Sequence, residues 1–153
     1  MTVSVKVAGL RDLDKQIARL KPATGKSALR RSLRSVAEPI AADMAARAPV
    51  DPNGERDLQK SIGVGTKLSK RQARLHRRMF RNSKAAVEMF VGAGPVSEAT
   101  QQEFGNSRHV AQPFARPAWD AATGSILADL SAIMWANVEK SIARAAKKGA
   151  LLK

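Results

Sequence analysis

Cysteine and tyrosine are absent from the 153 residues, and the aromatic total is four Phe and two Trp. Each absence removes a class of explanation. Without cysteine there are no disulfides and no thiolate-held metals, which suits a protein that folds in a reducing cytoplasm. So few aromatics disfavour a stacking platform of the kind that binds single-stranded nucleic acid. No window supplies the ~20 apolar residues a transmembrane helix needs. Met1 to Leu20 also lacks the continuous hydrophobic stretch of a secretion signal. A soluble chain with no membrane partner is expected. The two histidines, His76 and His109, stand far apart, in neither an i, i+4 metal pair nor a nucleophile motif. Asp51, Glu55 and Asp57 beside Lys60 have the composition of a nuclease acidic patch, but the surrounding loop lacks the strand context such a metal site needs. No catalytic activity, metal or cofactor is expected.

Acidic residues are also scarce: 13 Asp and Glu face 27 Lys and Arg, a net charge of +14. Such a balance implies a polyanionic neighbour: nucleic acid, an acidic protein surface or, third in order, an anionic membrane. At this length one domain spanning 1–153 is expected, burying roughly 68–70% of its unfolded surface.

Val3, Val5 and Val7 alternate with Ser4, Lys6 and Ala8, the pattern of a half-buried strand ending at Gly9. Leu10, Leu13, Ile17 and Leu20 then follow at helical spacing, and Pro22 closes this short helix. A longer helix from Thr24 carries Leu29, Leu33, Val36, Ile40 and Met44 as its apolar stripe, with Pro39 expected to loosen it locally. Ala48-Pro49-Val50-Asp51-Pro52-Asn53-Gly54 is turn chemistry and opens a long loop. Strands are expected at 58–67 and 85–93. Between them a basic insertion, about 68–84, reads as an extended hairpin tip or a short helix. A last helix should run from about Pro117 to Lys147, weakened at Gly124 and widened on its apolar side by Leu127, Met134 and Trp135. A frayed basic tail is expected at 148–153. The fold class is α+β: a small antiparallel sheet packed against two long helices, plus a short N-terminal helix.

Two constellations stand out. In Glu103-Phe104-Gly105-Asn106 the glycine permits a sharp turn, and Pro113-Phe114-Ala115-Arg116-Pro117-Ala118-Trp119 stiffens the approach to a helix. Pro117 suits a first helical position. Arg116 can pair with Glu103 across the junction. In the basic insertion, Lys70, Arg71, Arg74, Arg77, Arg78, Arg81 and Lys84 concentrate charge. If that segment is helical, Arg71, Arg74, Arg78 and Arg81 share one face, with Leu75 and Met79 beside it.

The order of these landmarks resembles the tail-completion, or neck, protein family of long-tailed bacteriophages. The resemblance rests on the Val-rich strand leading to Gly9-Leu10, the Ala48-Pro49-Val50-Asp51 turn, Gly54, Leu58, Ser61 and Ile62, then Val91-Gly92, Glu103-Phe104-Gly105 and Pro113-Phe114-Ala115-Arg116-Pro117-Ala118. It departs from the family at Pro52-Asn53-Gly54, where Thr-Gly is usual, and at Gln59, Asn106 and Ala115, where Arg, Thr and Leu are common. It implies a non-enzymatic virion protein, made in the bacterial host cytoplasm, that assembles as a homo-oligomeric ring, hexameric by resemblance, in the neck at the head-tail junction. The implied partners are a head-side connector or stopper ring and the tail terminator or tail tube, to which the basic charge adds a non-specific contact with genomic DNA in the lumen as an expectation. A tail terminator role at the same junction, or a stand-alone DNA-binding module, are the alternatives. Glu103, Phe104, Gly105, Pro113, Phe114, Arg116 and Pro117 are candidates for subunit or partner docking, against a loop that only plugs its own core. For the basic segment, a DNA-lining face, an acidic-partner contact and a merely solvated face all stay open.

Overall fold

The computed structural model describes residues 9–50, 57–81, 87–96 and 98–148. The expected N-terminal strand, Asp51 to Gly54, Glu55, Lys84, the first residues of the second expected strand and the tail beyond Lys148 lie outside them. Among the described residues the order is α1 (Leu10–Ala18), α2 (Pro22–Arg47), α3 (Leu58–Ser61), β1 (Gly63–Gly65), α4 (Lys70–Met79), β2 (Phe90–Gly92), α5 (Glu98–Phe104), α6 (Ala115–Thr123) and α7 (Ile126–Lys147). The fold is α+β as expected, mostly helical with a two-stranded antiparallel sheet, two long helices and a short N-terminal helix. Contacts divide the chain into two compact units: one joins the segment ending at Val36 to the segment starting at Ser125, and the other is Ala37–Gly124.

The first unit is a helical packing of α1, the beginning of α2, and α7. Gly9 sits left-handed at φ 81 and its carbonyl accepts from the N–H groups of Asp12 and Leu13 at 3.1 and 3.0 Å, which starts α1. Pro22 opens α2 as well as ending the reach of α1, because a first helical residue has no use for its N–H; the Lys21 carbonyl takes the N–H groups of Thr24 and Gly25 instead. The buried line of α2 differs from the expected stripe. Ala28 and Ser32 are fully buried while Leu29 and Leu33 are half-buried, so small side chains face the packed neighbour. Leu13, Ala28 and Val138 form the core, with Ile17, Met134, Trp135 and Ile142 around them. Full burial of Leu13 or Val138 stabilises by about 1.5–3 kcal/mol each. The buried hydroxyls are satisfied: Asn137 Nδ2 donates to Ser32 Oγ at 3.1 Å, Ser32 Oγ to the Ala28 carbonyl, and Ser141 Oγ to the Asn137 carbonyl.

In the second unit, Ala37, Ile40, Ala41 and Met44 are buried along the rest of α2. The helix continues through Pro39, which sits on an exposed face. The expected strand at 58–67 is instead a helical turn followed by a short strand. Asp57 Oδ1 accepts the Lys60 N–H and nucleates α3, and glycines at 63 and 65 leave little side chain to extend the ladder. β1 and β2 pair antiparallel, with Val64 opposite Val91. Gln59 Nε2 donates to the Ala48 carbonyl at 2.9 Å, fastening the Ala-Pro-Val turn to α3. Met44, Ala48, Leu58, Phe114 and Ala118 make the core, with Ile62, Val91, Ala93, Val96, Ala99 and Ala115 packed on it. The expected single last helix is two: α6 stops at Thr123 and α7 starts at Ile126. Gly124 lowers helix preference by about 1 kcal/mol relative to Ala, and the Ser125 carbonyl starts a new helix by accepting the Asp129 N–H at 3.0 Å.

Candidate functional site

A helix start leaves four backbone N–H groups without intrahelical partners. At α6 the flanking residue is Phe114, whose side chain can cap nothing, and Glu103 from α5 supplies the acceptor. Its Oε2 accepts from the N–H groups of Phe114 and Ala115, both at 2.8 Å, and its Oε1 from the Arg116 N–H at 3.1 Å. The fourth position is Pro117, which has no N–H to satisfy. Pro117 is thus the third residue of α6 rather than the first, and the helix begins two residues earlier than its sequence suggests. Arg116 completes the clasp: Nε donates to Glu103 Oε1 at 2.9 Å and Nη2 to the Glu103 carbonyl at 3.1 Å.

Glu103 is only 5% exposed. Burial, the largest single influence on its carboxyl, pushes the pKa up; the N–H donors of Ala115 and Phe114 and both donors of Arg116 together outweigh it and hold the group below its ordinary 4.5. A negative charge at a helix N-terminus also meets the positive end of the helix dipole.

The clasp separates the two phenylalanines. Phe114 is 2% exposed in the unit's own core, whereas Phe104 is 64% exposed, with the Arg116 guanidinium 5.0 Å from its ring centroid. Between them runs a tight loop. Gly105 has φ 72, and a Cβ there would meet the Ala111 nitrogen at 2.9 Å and the His109 carbonyl oxygen at 3.0 Å, so only glycine fits. Asn106 and His109 exchange backbone hydrogen bonds, the Gln112 N–H reaches the Gln102 carbonyl at 2.7 Å, and a His109 ring nitrogen lies 2.8 Å from Gln102 Oε1. His109 therefore stitches the loop. Pro113 is exposed just before the clasp, and Val110 is 84% exposed.

The basic segment is a helix, one of the two forms expected of it. Ser69 and Gln72 form a capping box: Ser69 Oγ accepts the Gln72 N–H and Gln72 Oε1 accepts the Ser69 N–H. No residue of α4 is buried, and Leu75, Met79 and the following Phe80 are exposed. His76 points toward β2, its ring 5.3 Å from that of Phe90 and its Nε2 3.9 Å from Glu88 Oε1. Arg74, Arg77, Arg78 and Arg81 surround an open hollow with Leu75; Lys70 and Arg71 do not line it, and Arg81 lies past the end of the helix.

Asp57 belongs to a cap and an ion pair with Lys60, 2.8 Å apart, whose hydrogen bond draws the Asp57 carboxyl down and the Lys60 ammonium up. Among the described residues no group of three His, Asp or Glu could hold a metal ion, and no helix is long and apolar enough to cross a membrane.

The model of a protein family described as "Bacteriophage HK97-gp10, putative tail-component" matches residues 11–105, more than half of the chain. The chain belongs to the HK97-gp10-like family. This agrees with the tail-completion resemblance read from its landmarks. No curated protein and no solved structure matches it. As an HK97-gp10-like protein it is a structural tail component of a phage virion, working among other virion proteins. The family match runs from α1 through α4 to Gly105, so it includes Glu103 and ends before Arg116 and α6.

Proposed function

We propose that this HK97-gp10-like chain is a non-catalytic tail-completion protein that oligomerises into a ring at the neck and joins the DNA-filled head to the tail. The carrying observation is the exposed Phe104, held under Arg116 by a clasp that fixes its base. An aromatic ring with a guanidinium stacked on it is a ready interface anchor, and fixing it beforehand lowers the ordering cost of binding. Phe104 and Val110 then dock on a neighbouring subunit or ring, while Glu103, Gly105, Pro113, Phe114 and Pro117 position them. Helix α4 is the second contact. Its exposed Leu75, Met79 and Phe80 supply the apolar centre a protein interface needs, and Arg74, Arg77, Arg78 and Arg81 supply charge for an acidic partner. This favours a protein neighbour over DNA for α4. Ring symmetry multiplies each modest contact.

The test is Phe104→Ala with Val110→Ser, both exposed and away from the core. The expected outcome is a chain that melts close to wild type yet no longer forms rings in electron micrographs or completes particles in an assembly extract. Normal rings and particles from that variant would refute the docking role.

A further inference from the structure

A second basic surface lies in the first unit, where α2 begins and α7 ends. Lys21, Arg31, Arg144, Lys147 and Lys148 border a groove of about 370 Å³. Among the described residues none of these five cations has a carboxylate partner. Arg144, Lys147 and the C-cap residue Lys148 complement the negative end of the α7 dipole, which accounts for those three. Lys21 and Arg31 come from elsewhere in the chain. Arg31 is set in place: Nη1 donates to Ser27 Oγ at 3.1 Å and Nη2 to the buried Ser141 Oγ at 3.0 Å. Those two bonds use neutral acceptors, so the guanidinium keeps its full charge and further N–H donors. Gathering like charges in one groove is unfavourable until an anion enters.

The rest of the lining decides which anion. Besides the cations the groove offers only the hydroxyl of Thr24 and the methyl of Ala145, the buried Ser141 Oγ being already bonded to the Asn137 carbonyl and Arg31, and there is no large apolar or aromatic side chain. A protein partner would find no apolar anchor, and a base would find no stacking surface. Phosphates need only fixed positive charge and hydrogen-bond donors. We infer that this groove binds the phosphodiester backbone of nucleic acid, without reading its sequence. The contrast with α4, whose cations are interleaved with exposed Leu75, Met79 and Phe80, assigns the two basic surfaces to different ligands.

The inference stands independently of ring formation, and its test reads DNA affinity alone. Full-length protein is titrated into a fluorescein-labelled random DNA duplex of about 20 base pairs at salt from about 50 to 200 mM, following anisotropy. Arg144→Gln/Lys147→Gln/Lys148→Gln alters exposed positions only, and circular dichroism checks that it stays folded. Each phosphate contact contributes roughly −0.9 to the slope of log affinity against log salt, so the triple variant should lose about 2–3 units of slope and at least tenfold in affinity at low salt. Arg31→Lys, which keeps the charge but loses the fork, should fall between. Arg74→Gln/Arg78→Gln in α4 should retain most of the wild-type slope. Three results would each overturn the assignment: no binding of duplex by wild type, an unchanged slope in the triple variant, or a polyglutamate peptide bound more tightly than duplex through the same three residues.

Discussion

Replacing Glu103 by Gln tests whether the carboxylate is the cap that makes α6 start where it does. Glutamine preserves shape but has one acceptor oxygen where Glu103 uses two, and its amide would face a backbone N–H with another N–H. At least one donor among Phe114, Ala115 and Arg116 is then left unsatisfied, in a place where Glu103 is 5% exposed and Phe114 2%. An unsatisfied buried donor costs about 1–3 kcal/mol, and hydrogen bonds to a charged acceptor contribute about 1.5–3 kcal/mol each before non-additivity. The Arg116 ion pair adds little, because that side chain is 59% exposed and such pairs contribute about 0–1 kcal/mol. Glu103→Gln should therefore destabilise by about 2–4 kcal/mol, a fall in Tm of roughly 5–15 °C at this chain length. Arg116→Ala should cost about 1 kcal/mol. Urea melts of both variants supply the comparison. The pH dependence gives a second reading. The folded carboxyl is held below 4.5, so just under that value the unfolded chain binds more protons than the native one. Glu103's contribution is complete above pH 4.5 and is lost as the pH falls through the depressed folded value, so the gap between wild type and Glu103→Gln should close on acidification. A Glu103→Gln protein within about 0.5 kcal/mol of wild type at neutral pH, or a gap that widens in acid, would show that the carboxylate is not the cap.

The remaining expectations separate positions that look alike in sequence. Gly105→Ala should lose about 1–3 kcal/mol in thermal melts, since φ 72 and a Cβ 2.9 Å from the Ala111 nitrogen both oppose it. Phe114→Ala should cost about 3–5 kcal/mol by urea unfolding, against under about 1 kcal/mol for Phe104→Ala, and equal effects would contradict the division between them. Ser69→Ala removes the α4 cap and should weaken that helix by about 0.5–2 kcal/mol. The loss should appear as faster hydrogen exchange confined to residues 70–79, with little change in the global melt.

How much of this was legible depended on whether the deciding contact was local. The helices of Leu13 and Ile17, of Ile40 and Met44, and of Val138 and Ile142 follow from apolar spacing, and the Glu103–Arg116 pair follows from charge. The Ser69-Lys70-Arg71-Gln72 box was a readable local signal that the basic segment is a helix and not a hairpin tip, and Gly124 marked the point where the last helix weakens. Other features needed the third dimension. Nothing near Phe104 and Phe114 says which one points inward, because that is set by Glu103 reaching across the loop. The buried line of Ala28 and Ser32 was masked by more apolar neighbours, since burial there follows close helix approach and not hydrophobicity. The groove cations are over a hundred residues apart in the chain, so no window could collect Lys21 and Arg31 with Arg144.

Glu103 holds the two ends of the loop from Phe104 to Pro113, and the Asn106–His109 bonds close its stem, so only the tip at Ser107 and Arg108 is free to change length. The entropy of closing a loop grows only logarithmically, about 0.6 kcal/mol for each doubling. Residues added between the exposed Ser107 and Arg108 would project outward while Gly105 and α6 kept their places. A short epitope tag inserted there would report the loop's position without disturbing the fold.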